Sequence, residues 1–278
     1  MKLRACLKLM RFNRPIGFFL LLWPTLWSLE LSSNFHPSLK MITIFILGVI
    51  VMRSAGSVIN DIADRHFDGH VTRTQYRPLP NQEISVRGAL ILFIILLLIA
   101  LILVLQLNTY CLWLAIIAVG LTILYPFCKR FTYLPQVLLG MIFNGTLFPF
   151  AAIQNHLPLL AWVLYVSTII WGVAYDTMYA MTDQPDDEKL GLKSTAILFG
   201  KQSPNIIALL QFLFLLGLAS VGVLAQLNWM YWVGFSIALI LSIYQQCLLR
   251  QTPYQSFKAF LNNNWLGLII FLGIIFNS

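Results

Sequence analysis

Charge is what this chain has least of. Only 10% of its 278 residues are charged and ten are acidic, against about 25% charged in an ordinary soluble domain. That scarcity excludes a water-soluble globular protein. The four cysteines, Cys6, Cys111, Cys128 and Cys247, are scattered without metal-ligand spacing, which excludes a disulfide framework and a zinc site and leaves them as small apolar residues. No segment alternates polar and apolar residues at short period, so a membrane β-barrel is excluded as well. No small-residue cleavage site follows the basic stretch Met1–Arg14, so the first apolar run is expected to stay as an uncleaved span. A net charge of +8 invites a nucleic-acid reading. The basic residues stand singly between apolar runs, however, as topology signals do, and no nucleic-acid partner is expected.

What the chain has in abundance is apolar length. Mean hydropathy is +0.80 and 59% of residues are hydrophobic. Apolar segments recur at 16–34, 38–58, 86–107, 111–128, 134–153, 157–175, 205–226, 229–249 and 263–277. The expectation is an all-α polytopic membrane protein of about nine transmembrane helices. The last segment is short and opens on the polar run Asn262–Asn264. With the N-terminus in the cytoplasm, seventeen of the eighteen Lys and Arg residues fall inside, and only Lys40 falls outside. That asymmetry predicts the orientation.

Eight of the ten acids lie in two stretches, Asn60–Asp68 and Asp176–Glu188, leaving only Glu30 and Glu83 elsewhere. Both stretches are expected on the cytoplasmic side, after spans two and six, a placement that suggests two parallel halves. On a helix, residues four apart drift by only about 40°, so Asn60, Asp64 and Asp68 share a face and Asp61 points aside. Asp176, Tyr179, Asp183 and Asp187 fall in a similar arc, except that Pro185 is expected to kink or restart the helix. Carboxylates this close repel one another unless a cation sits among them. Carboxylates and an amide oxygen suit magnesium, which bridges carboxylates to phosphates. Arg65, Arg73 and Arg77 accompany the first stretch and Lys189 and Lys193 the second, as a diphosphate site requires. The bland alternative is a pair of solvated loops capping helices. Two such loops on one side of a chain nearly devoid of other acids favour a site. Tyr179 is as well explained by packing as by contact with phosphate or a cation. His66 and His70 read as loop residues.

A diphosphate site at the mouth of an apolar bundle suits a substrate with a polar head and a long apolar tail, such as a polyprenyl diphosphate. The motifs then match a known family. Asn60-Asp61-x-x-Asp64-x-x-x-Asp68 with Arg73-Thr74-x-x-Arg77-Pro78-Leu79-Pro80, and Tyr175-Asp176-Thr177-x-Tyr179-Ala180-Met181-x-Asp183 with Asp186-Asp187 and Gly191-x-Lys193-Ser194-Thr195-Ala196, resemble the two signatures of the intramembrane aromatic prenyltransferases. Arg14–Gly17, Leu22–Thr25, Tyr125-Pro126-Phe127-x-Lys129-Arg130 and Leu134-Pro135-Gln136-x-x-Leu139-Gly140 narrow the resemblance to the 4-hydroxybenzoate polyprenyltransferases of ubiquinone synthesis.

The resemblance covers the chain as far as Gly200 and implies one membrane-embedded catalytic domain over 1–278, with motifs at 60–80 and 176–196. It implies helices around a central cavity open sideways to the lipid bilayer, in a bacterial inner membrane with the active site on the cytoplasmic side. It implies Mg2+ held by Asn60, Asp64, Asp68, Asp183 and Asp187, the four aspartates being catalytic together with Tyr179. Diphosphate would be bound by Arg65, Arg73, Arg77, Lys129 and Lys193, and the aromatic acid by Arg130 and Asp176. The substrates implied are polyprenyl diphosphate and 4-hydroxybenzoate, joined at a ring carbon. Pro185 and Asn144-Gly145 depart from the family pattern. The rival readings are a cation-coupled transporter, a transferase using a nucleotide-activated alcohol, and a prenyltransferase for another aromatic acceptor.

Overall fold

The computed structural model describes residues 3–69, 74–142, 144–252 and 254–277, with no side-chain description for 66–68 and 129. Twelve α-helices account for most of it, and no β-strand occurs among the described residues. A short helix α1 (Leu3–Leu9) precedes α2 (Ile16–Ser32), α3 (Leu39–Asp68), α4 (Val86–Val104) and α5 (Thr109–Phe131). Then come α6 (Pro135–Ile142), α7 (Leu147–Gln154), α8 (Leu159–Lys189), the short α9 (Thr195–Phe199), α10 (Ser203–Leu224), α11 (Trp229–Leu249) and α12 (Ser256–Ile275). Eight segments are long and apolar enough to cross a bilayer, with α6 and α7 together forming one of them, and the shorter α2 makes the ninth. The protein is a polytopic membrane protein.

Polar residues at the helix starts satisfy backbone N–H groups that no helical carbonyl reaches. Ser85 accepts from Gly88 N before α4, Asn108 from Cys111 N before α5, and Asn228 from Met230 N before α11.

Three segments differ from their sequence expectation. The apolar run 157–175 continues to Lys189, because the polar residues after Tyr175 keep helical backbone as the chain leaves the apolar layer. Pro185 lies inside this uninterrupted helix, so the chain does not restart there. The run 134–153 is not one helix: α6 ends at Ile142 and α7 starts at Leu147. Asn144 lies between them; its Oδ1 accepts from Thr146 N at 3.3 Å, next to the start of α7, and its amide ties the break to α8. Its Nδ2 donates to Tyr165 O at 2.9 Å and Thr168 Oγ1 at 2.6 Å, and its Oδ1 accepts from Thr146 Oγ1 at 2.7 Å. Broken backbone at membrane depth is tolerated where protein satisfies it in this way.

The third difference is α12, which starts at Ser256 and carries Asn262–Asn264 within its length. Successive helical residues point about 100° apart, and each of the three asparagines engages a different neighbour. Asn262 accepts from Gln245 of α11 at 3.0 Å, Asn263 from Trp171 Nε1 of α8 at 2.8 Å, and Asn264 from Trp23 Nε1 of α2 at 2.9 Å. The core between these helices is aromatic. Trp171 stacks on Trp27 and on Phe214, with ring centroids 5.4 and 5.5 Å apart.

Candidate active site

Helices α3 and α8 set the site's position by their length. At 30 and 31 residues each is about 45 Å long, against an apolar layer of about 30 Å. Their C-terminal turns therefore emerge at the same end of the bundle, and those turns carry the two acidic stretches.

On α3, Asn60 Nδ2 donates to Asp64 Oδ2 at 3.2 Å, so the pair shares the face that the sequence spacing requires. Asp61 is turned away from it and fully buried, and its Oδ1 accepts from Arg11 Nη2 at 2.5 Å and Arg77 Nη1 at 3.0 Å. Arg65 folds back onto its own helix, donating to Ile62 O at 2.8 Å. On α8, unbroken helix keeps Asp176, Tyr179, Asp183 and Asp187 in one arc. Tyr179 packs against Phe260 and Phe257 of α12, with centroids 5.0 and 6.3 Å away.

The end of α5 ties the two stretches together. Arg130 donates from Nη2 to Ala63 O of α3 at 3.0 Å, with its guanidinium 5.3 Å from the Phe127 ring centre. The next residue, Phe131, accepts through its carbonyl from Lys193 Nζ at 3.4 Å, and Lys193 also lies 5.1 Å from the Tyr133 ring. The Gly191-x-Lys193-Ser194-Thr195 segment delivers this lysine. Gly191 ends α8 at φ +65°, where a side chain would be strained. Ser194 caps α9, and Thr195 is held by Thr177 Oγ1 at 2.7 Å and by Gln136 Oε1 at 3.1 Å. Asp68, Arg73 and Lys129, expected as metal or diphosphate ligands, lie outside the residues or side chains described.

Beneath the acids is a second layer, in which Asp176 is joined by Arg53, a residue that the sequence reading did not single out as part of a site. Arg53 lies seven residues before Asn60 on α3, about 10 Å deeper along the axis. Its guanidinium rests on Gly17 of α2, where a Cβ would come within 2.6 Å of both Nε and Nη2. Arg53, Asp176 and Tyr125 all lie within electrostatic reach of the buried Tyr175 hydroxyl. Arg53 is the one charge within the apolar stretch of α3 beyond its first turn, a signal that could have marked it. The partnership with Gly17 left no trace in the sequence.

Deeper still is an apolar cavity of about 390 Å3 between α2, α3, α4, α5 and the α6–α7 break, lined by residues such as Phe45, Gly48, Met52, Leu97, Val119 and Phe148. The α3 face that carries Met52 continues through Gly56 to Asn60. The α5 face that carries Thr122 continues through Tyr125 and Pro126, while Arg130 lies about 80° around the helix from Thr122. Leu101 and Ile116 line the cavity yet are 43% and 55% exposed, so it opens between α4 and α5.

Among the described residues no three His, Cys, Asp or Glu side chains converge closely enough to enclose a metal. The candidate donors Asn60, Asp64, Asp183 and Asp187 are all hard oxygen ligands, a set that suits Mg2+ and not a thiophilic ion.

Residues 21–271 match the UbiA prenyltransferase family. Over the full chain the sequence is 50% identical to the 4-hydroxybenzoate octaprenyltransferase of Hydrogenovibrio crunogenus, covering 98% of that protein. It is 49% identical to the protein of the same name from Coxiella burnetii, over 97% of this chain and 94% of that one. In three dimensions the fold is shared with a UbiA homolog from Aeropyrum pernix, at a TM-score of 0.82, 24% identity, and coverage of 94% of this chain and 98% of that one. It is shared also with a UbiA homolog from Archaeoglobus fulgidus in complex with GPP and Mg2+, at a TM-score of 0.76, 19% identity and coverage of 98% of both chains.

Proposed function

The chain belongs to the UbiA prenyltransferase family, and from that premise we propose that it transfers a polyprenyl group, of octaprenyl length in the relatives' names, from its diphosphate to a ring carbon of 4-hydroxybenzoate. It is a membrane-embedded transferase. The observation that carries the substrate assignment is the layering along the bundle axis: acids and bases at one end, Arg53 and Asp176 beneath them, and the apolar cavity deepest.

Each layer matches one part of the reaction. Lys193 and Arg77, with Arg130 beside them, hold the diphosphate oxygens, and Asn60, Asp64, Asp183 and Asp187 would hold Mg2+, which would neutralise phosphate charge and make diphosphate a better leaving group. The allylic C–O bond breaks and its electron pair leaves with diphosphate. The ring carbon beside the phenol attacks the allylic carbon, and loss of that carbon's proton restores the aromatic ring. Arg53 or Arg130 receives the acceptor's carboxylate, since a guanidinium matches a carboxylate bidentately. Arg53 favours itself by depth, because it brings the acceptor beneath the diphosphate and beside the start of the prenyl chain. The tail occupies the apolar cavity, and an extended octaprenyl chain of roughly 40 Å, at about 1.2 Å per bond, must continue out between α4 and α5 into lipid. The cavity's dry walls keep water from the electron-poor carbon. On this reading one catalytic domain carries all of this in a bacterial inner membrane, and the charge asymmetry supports a cytoplasmic position for its acidic end.

The test is product identification by mass spectrometry from purified protein given Mg2+, 4-hydroxybenzoate and isotopically labelled prenyl diphosphate. A ring-prenylated acid is expected. Recovery of intact diphosphate and free acid from folded protein would overturn the assignment.

A further inference from the structure

Three segments far apart in sequence meet at Asp61, whose side chain is 0% exposed. Arg11 arrives from the turn after α1 and Arg77 from the segment between α3 and α4, and both bond the same oxygen, Oδ1. Around this point Cys6 and Leu9 of α1 and Leu79 and Ile84 of the connecting segment share one apolar core with Val58 and Ile62 of α3. Lys8 closes the rim by pairing with Glu83 at 3.0 Å. Arg11 itself has φ +66°, a left-handed conformation that costs an L-residue about 1–2 kcal/mol and persists only where its surroundings impose it. Buried ion pairs are weak reasons for stability when apolar packing could replace them, so the triad calls for another explanation.

We propose that Asp61 is a positioning residue and not a metal ligand: it fixes Arg77, and with it the Arg11 turn of α1, at the rim of the site that Asn60 and Asp64 face. This rests on the diphosphate reading of that site. Asp61 lies about 100° around α3 from Asn60 and about 60° from Asp64, off their common face, and its carboxylate already serves two guanidinium groups. Among the described contacts two guanidinium groups meet this one carboxylate beside the acidic pair, where phosphate oxygens are to be held. Arg11 is thereby assigned to the same machinery from outside both signature stretches.

The experiment measures binding of farnesyl diphosphate with Mg2+ to full-length protein in detergent, alongside thermal midpoints, for the wild type, Asp61→Asn, Arg11→Gln and the double variant. Asp61→Asn is expected to weaken binding roughly 10- to 100-fold, the range for losing a charge-assisted hydrogen bond. Arg11→Gln should weaken it less, and the double variant no more than Asp61→Asn alone, as coupled neighbours do. The Mg2+ concentration for half-maximal binding should stay within about twofold in Asp61→Asn while rising in Asp64→Asn. Lower thermal midpoints with unchanged binding would overturn the proposal by making the triad purely structural. A Mg2+ requirement raised in Asp61→Asn as in Asp64→Asn would overturn it by making Asp61 a ligand. If Asp61→Asn fails to fold, Arg11→Gln decides on the same binding criterion. A wild type that binds no farnesyl diphosphate removes the functional reading and this proposal together, whereas binding that the variants leave untouched removes this proposal alone.

Discussion

Arg53 occupies a depth at which a spanning helix can keep a charge only with a purpose and a place to put it. Gly17 supplies the place. In Gly17→Ala the new methyl group would fall 2.6 Å from two guanidinium atoms, and a long side chain can yield without unfolding the bundle. The expected result is a normal thermal midpoint with a KM for 4-hydroxybenzoate raised about tenfold and a KM for prenyl diphosphate little changed, corresponding to a partly lost bidentate pair. Steady-state kinetics with each substrate varied in turn would reveal an equal rise in both, which would count against Arg53 as the acceptor's anchor. Asp64→Asn and Asp183→Asn should lower kcat by roughly a hundredfold or more with the fold intact by circular dichroism. Retained turnover, or turnover in excess EDTA, would contradict the metal role. Spacing alone made the Asn60–Asp64 face and the Asp176–Asp187 arc legible. It could not make Asp61 legible as an arginine holder, because Arg11 lies 50 positions away and only the fold brings it near.

At the scale of helices, α12 is locked by three consecutive asparagines that each engage a different neighbour. Asn263→Leu removes the acceptor of the buried Trp171 N–H, and a loss of about 1–2 kcal/mol is expected, read as a lower thermal midpoint in detergent with the KM values unchanged. In sequence this polar run resembled the edge of a span. Hydropathy averages over a window, so it reports polar residues as boundaries even when each is satisfied inside the bundle. The same averaging hid the break between α6 and α7, which does not interrupt the apolar run. Gly48 belongs to this scale too, since a Cβ there meets nothing within 4 Å and the residue lines the cavity. Gly48→Phe should occupy part of that space and lower kcat/KM for long prenyl diphosphates several-fold more than for geranyl diphosphate, one buried contact being worth about 1–3 kcal/mol. Equal effects on both chain lengths in a competition assay would mean that the tail lies elsewhere.

For the whole molecule, nine apolar segments were evident from hydropathy, because lipid imposes that pattern directly on sequence, and the basic residues predict their sidedness. The closing of the acidic end was not, since it depends on contacts between α1 and the segment before α4. Glu83 there is held below its ordinary value of 4.5 by its hydrogen bond from Lys8. A lowered carboxyl pKa contributes stability above the unfolded value and loses it as pH falls through the folded one. Acidification below about pH 4.5 should therefore loosen α1 first, with hydrogen exchange rising in residues 3–14 before it rises in α10–α12. Glu83→Gln should show the same loosening already at neutral pH.

One consequence of the fold concerns the membrane itself. Helix α2 has 17 residues, about 25 Å of length, and so falls short of a typical hydrocarbon layer of about 30 Å. A span shorter than the hydrocarbon layer is met by local thinning of the bilayer. Thinning at the start of α2 would draw the phosphate plane toward Gly17 and Arg53 and shorten the path by which an amphiphile's head group enters from the bilayer. Catalysis should then depend on acyl chain length: reconstituted into vesicles of progressively longer-chain lipids, the protein should lose turnover as hydrophobic mismatch on the α2 flank grows.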